Sequence, residues 1–104
     1  NPSLIASASE EAEDLRLTWL EAKERLSRLE AKTYLVVVGT IKEREAKVDN
    51  DDNVFERRMT LLTSESTFRK KETEVRHLLE ELNAAKCLAR IMIAEMTNLG
   101  DSVK

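Results

Sequence analysis

His77 is the only histidine and Cys87 the only cysteine in the chain, so acid–base or thiol chemistry would have to run through them. On one helix the two would point to different faces, outside the hydrogen-bond reach that a nucleophile and its base need. A phosphate-accepting histidine would want Lys or Gly close by, but Leu78-Leu79-Glu80-Glu81 follows His77. An exposed helix histidine is the expectation. Cys87 reads as an inert packing residue rather than a redox thiol. Asp49, Asp51 and Asn53 fit the first, third and fifth positions of a calcium loop. The fit then fails, with Val54 where Gly is needed and Thr60 where a bidentate Glu is needed. A solvated turn is expected there, with no metal and no cofactor. Arg57-Arg58 and Arg69-Lys70-Lys71 are diluted by Glu56, Glu65, Glu72 and Glu74, and no aromatic platform accompanies them. They predict solvated helix faces and no nucleic-acid partner. The hydroxyls between Thr63 and Thr67 would accept phosphate, and charge there would reshape a weak helical segment. Trp19 is either an anchor for a partner or a seam residue.

The elements that must carry these residues are few and long. The chain has 104 residues, 36% charged and 4% aromatic, with two glycines and one proline. That composition belongs to long helices, and it leaves few turn signals. A net charge of −3 with interspersed bases gives no bulk attraction for nucleic acid or anionic membrane. The longest apolar run, Leu35 to Val38, is far short of the ~20 residues of a membrane span. A lone cysteine favours a reducing, intracellular and cytoplasmic setting. The start at Asn-Pro-Ser, without Met, suggests a module cut from a larger protein.

Ser7-Ala8-Ser9-Glu10 fits a capping box, followed by acids that suit a helix start. Ala12, Leu15, Trp19, Ala22, Leu26 and Leu29 then form an a/d seam. Glu21 with Arg25, Glu24 with Arg28 and Glu43 with Lys47 are favourable i,i+4 pairs. The seam then loses phase. Its apolar residues move to Tyr34, Val38, Ile41 and Val48, with Gly39 at the skip. Tyr34 to Val38 also has strand character, and Val54 to Thr63 could pair with it. Helix is preferred, because a lone hairpin is marginal.

Asp49 to Asn53 is the expected turn, with Asn53-Val54-Phe55-Glu56 as the next cap. Thr63 to Thr67 predicts a kink or a fresh cap. A second seam follows at Phe68, Val75, Leu78, Leu82, Ala85, Ala89, Met92, Met96 and Leu99, interrupted by Lys71. Gly100 offers a helix stop.

The sequence therefore predicts a single all-α module over residues 1–104. Helices over about 8–48 and 54–99 fold back through 49–53 as an antiparallel hairpin or coiled coil. A fold-back at Asp51 pairs Trp19 with Leu82, Tyr34 with Phe68, Ala22 with Leu79, and Leu4 or Ile5 with Leu99. Cys87, Leu88 and Ile91 lie off the seam, so the second helix is apolar on more than one stripe. A second copy is expected to cover Leu88 and Ile91 and share Met92 and Met96, giving a dimeric helical bundle. The expected function is protein–protein interaction, as an oligomerisation or scaffold module, and not catalysis. One alternative is an adaptor that binds an amphipathic helix of a different protein. The other is a chaperone-like helix–β-hairpin–helix module.

Overall fold

The computed structural model describes residues 2–103, with side-chain burial for residues 3–98. It contains α1 (Pro2–Val36), α2 (Ile41–Asp49) and α3 (Asp52–Val103), and no strand among the described residues. Tyr34 to Ile41 and Val54 to Leu62 are therefore not a β-hairpin. The molecule is a rod, 90 × 23 × 15 Å, in which α1 packs along α3 as an all-α helical hairpin.

The first helix is broken where it was expected to run on to residue 48. Val36-Val37-Val38 is a β-branched run of low helix propensity. Gly39 then adopts φ +146°, a conformation open to glycine and strained for other residues. Thr40 restarts the helix: its hydroxyl accepts from the Glu43 N–H at 3.3 Å. The Ser7 box is not used, because α1 already begins at Pro2, and proline costs little in a first turn.

The second reversal is tighter than a turn over 49–53. Asn50 closes α2, donating from its backbone and its amide to the Ala46 carbonyl. Asp51, not Asn53, caps α3: its carboxylate accepts from the Val54 N–H at 3.0 Å. Thr63 to Thr67 neither kinks nor caps, because α3 is continuous through it. Thr67 bonds back to the Thr63 carbonyl at 2.9 Å, a mode compatible with a helix interior. The helix also passes through Gly100 to Val103, so the expected stop is not used.

The first seam, and the second as far as Leu82, appear in the expected phase; Ala85, Ala89, Met92 and Met96 are exposed instead of packed. Ala12, Leu15, Trp19, Ala22, Leu26 and Leu29 are buried or half-buried on α1, and Phe68, Lys71, Val75, Leu78 and Leu82 on α3. Lys71 is tolerated in the seam because it stretches its ammonium out to Glu11 and Glu74. At the turn end, Leu26, Val48 and the fully buried Val54 form the core, with Leu29, Tyr34 and Leu61 around it. Val38 and Ile41 stay exposed instead of joining the seam. The exposed pairs Glu21–Arg25 and Glu24–Arg28 are made.

The register differs from a fold-back at Asp51. Trp19 faces Phe68, not Leu82, and Glu11 reaches Lys71. Tyr34 and Phe68 therefore do not meet; Tyr34 sits under Arg44 instead. The proposed partnership of Leu4 or Ile5 with Leu99 involves a side chain outside the described residues. Relative to expectation, α3 has slid by two heptads, about 21 Å. The reversal is centred within α2, which acts as a connecting arm. Arg58 fixes that arm, donating to Glu30 of α1 at 3.2 Å and to Asp49 of α2 at 2.9 Å.

Candidate interaction surface on the α3 overhang

The slide has a consequence for the second seam. α3 has 52 residues and α1 has 35. The residues from Trp19 back to Pro2 carry the register from Phe68 on to Ala85. Among the described residues, none of α1 reaches past Ala85 of α3. Leu82 is its last half-buried residue, and every residue from Asn83 to Asn98 is exposed. About 28 Å of helix projects past the hairpin, at 1.5 Å per residue.

This overhang holds most of the residues singled out as an interface. Leu88 is 58% exposed, Ile91 51%, Met92 54% and Met96 70%. The expectation separated Leu88 and Ile91, off the seam, from Met92 and Met96, on it. The structure removes that distinction by leaving the whole segment uncovered. Ile93, 63% exposed, lies on the same segment, on nearly the opposite face from Ile91, and was missed. Its signal was its place beside the seam, one residue after Met92. Cys87 is exposed on the overhang rather than packed, which corrects the buried reading. Only three charges, Lys86, Arg90 and Glu95, lie between Leu82 and Asn98. Lys86 and Arg90 lie on one side of the segment and Glu95 on the opposite side, so the helix is apolar on several stripes, and such helices are normally covered by neighbours.

Trp19 is placed elsewhere. Its ring stacks on Phe68 with centroids 5.5 Å apart, and the Arg69 guanidinium lies over both rings. Seam packing is its role within the chain, and it is not presented as a free anchor. His77 lies exposed on α3.

The acidic cluster at 49–53 serves the backbone and α3. Asp49 holds Arg58, and Asp51 caps the helix. Among the described residues no group of His, Cys, Asp and Glu is arranged to hold a metal ion. The basic Arg57 lines an open groove of about 670 Å³ with Arg25, Arg28 and Lys32. Glu56 stands among them, and Arg25 and Arg28 already pair with Glu21 and Glu24.

Electrostatics tie the hairpin rather than build a reactive centre. The hydrogen bond to Glu11, then that to Glu74, holds the Lys71 ammonium above its ordinary lysine range. Asp49, then Glu30, raises Arg58 in the same way. The Arg16 hydrogen bond lowers the Glu13 carboxyl. Each is a charge-assisted bond across or along helices, and none faces a closed cavity. No described helix is long and apolar enough to cross a membrane. No protein-family model, curated protein or solved structure matches the chain.

Proposed function

We propose that the chain is a protein–protein interaction module through which a larger intracellular, cytoplasmic protein oligomerises or is scaffolded. The supporting observation is the uncovered apolar overhang, with Leu88, Ile91, Ile93, Met92 and Met96 on one projecting helix. A long helix that leaves its own partner behind needs another, because half-exposed aliphatic side chains gain by burial. A second copy of the chain is the proposed partner. The reading assigns the protein no catalytic step and no cofactor.

Magnitudes set the affinity to expect. Burying a large aliphatic side chain fully is worth about 1.5–3 kcal/mol, and these are roughly half-buried against their own helix already. Five per copy, at about 1 kcal/mol each, give about 10 kcal/mol gross for a dimer. Association costs about 4–15 kcal/mol. At the lowest cost about 6 kcal/mol remains, a dimer of tens of micromolar or weaker, the range of a contact reinforced by the rest of a larger assembly.

Sedimentation from low to high micromolar concentration tests the reading. The chain is expected to pass from monomer to dimer, and Leu88→Glu with Ile91→Glu to abolish the dimer while preserving helicity. A monomer throughout would refute self-association, and an amphipathic helix of a different protein would take the second copy's place.

A further inference from the structure

We infer that the groove between α1 and α3 beside the reversal binds a compact polyphosphate, held by Lys32 from one wall and Arg57 from the other. The site is independent of the overhang and of self-association. The two sides of α3 differ in how their charges are met. Arg58 is neutralised twice, by Glu30 of α1 and by Asp49 of α2. Arg57, the next residue around the helix, lines the groove with no ion pair or hydrogen bond among the described residues. Lys32, on the α1 wall, has none either. Two unpaired cations on facing walls repel each other. An anion placed between them replaces that repulsion with two attractions.

The rest of the lining suits the same ligand. Arg25 and Arg28 stand on the α1 wall, and Asn53 lies one turn before Arg57 on α3. Arg25 and Arg28 are paired with Glu21 and Glu24. These are exposed pairs within one helix, weak enough for a phosphate to compete with them. Setting Glu21 and Glu24 against Arg25 and Arg28 leaves Lys32 and Arg57 facing Glu56 alone.

Chemistry and size narrow the ligand. Planar guanidinium forks take phosphate oxygens in pairs, and an ammonium adds a point charge. The Asn53 amide offers N–H donors without charge. The groove holds about 670 Å³, within the range of small-ligand sites. Leu29 is the only hydrophobic residue that lines it and no aromatic ring does, so it offers no platform for a base. A short chain of phosphate groups, rather than a nucleotide or nucleic acid, uses what the walls supply. The groove is open and water screens each contact, so a dissociation constant of about 0.1–1 mM is expected. A bound anion bridges α1 and α3, and so stabilises the hairpin by mass action.

Pyrophosphate titrated into the whole chain at constant ionic strength tests the site, with backbone amide shifts as the readout and sulfate as the comparison. Saturating shifts are expected around Lys32, Asn53 and Arg57, with pyrophosphate bound at least about tenfold tighter than sulfate. Arg57→Ala is expected to weaken binding about tenfold or more, the loss of charge-assisted hydrogen bonds. It should also remove the rise in melting temperature that pyrophosphate gives the wild type. Glu56→Gln should tighten binding, because it removes the only carboxylate in the lining. Lys70→Ala, farther along α3 and outside the groove, should leave it unchanged. Shifts scattered over Lys23, Lys70 and the other exposed bases overturn the site. Equal midpoints for sulfate and pyrophosphate, no saturation by about 10 mM, or an Arg57→Ala variant that binds as the wild type does also overturn it.

Discussion

The Trp19 ring stacks on Phe68, with centroids 5.5 Å apart and planes inclined by 17°. The stack couples the middle of α1 to α3 and fixes which turns face each other. Aromatic pairs contribute about 0.5–1.5 kcal/mol beyond area burial. A double-mutant cycle of Trp19→Ala and Phe68→Ala, read by urea unfolding, is expected to show coupling of that size. The cycle of Trp19→Ala with Leu82→Ala is expected to show almost none. The reverse result would restore the fold-back at Asp51.

Core position and solvent face should separate cleanly in the turn-end cluster. Leu26 is buried against Val48 and Val54, so Leu26→Ala is expected to cost about 2–5 kcal/mol. Glu24 lies on the outer face, paired only with Arg28, and Glu24→Ala should stay within about 0.5 kcal/mol. Leu82 lies at the margin of the cover from α1, so Leu82→Ala should fall below Leu26→Ala in the monomer. Thermal melts at low concentration rank the three.

The break after α1 depends on Gly39. A Cβ there would collide with a Glu43 carboxylate oxygen, and φ is +146°. Gly39→Ala is expected to cost about 1–3 kcal/mol. Moving the flexible Glu43 side chain relieves only the contact, not the backbone. Adding Glu43→Ala should therefore leave most of the loss in place. Full recovery in the double variant would show that crowding, not φ, decides the site.

Lys71 makes stability fall in alkali. Its folded pKa is raised by Glu11 and then Glu74. Its contribution is therefore complete below the unfolded lysine value of about 10.4 and is lost as pH rises through the higher folded value. The difference in urea midpoint between the wild type and Lys71→Met should be constant from pH 7 to 9. It should move against the wild type above about pH 10.5. A difference that stays flat to pH 12 would mean that the ion pairs do not hold in solution.

The sequence by itself determined the class of the fold and the phase of its seams. Apolar spacing placed Ala12, Leu15, Trp19, Ala22, Leu26 and Leu29 on one face of α1, and Phe68, Val75, Leu78 and Leu82 on one face of α3, where the structure has them. It also drew attention to Leu88, Ile91, Met92 and Met96, because apolar residues outnumber what one seam can use. Only the tertiary structure decided which turn of α1 meets which turn of α3. A heptad seam looks the same after a slide of seven or fourteen residues, so periodicity is blind to such a slip. Features that do not repeat break the degeneracy: the Trp19–Phe68 stack, the reach of Lys71 to Glu11, and a connection that spends Ile41–Asp49 as an arm tied down by Arg58. The overhang follows from that register. Had Trp19 faced Leu82, α1 would have covered Leu88 to Met96; facing Phe68, the described part of α1 does not reach them and they stay exposed.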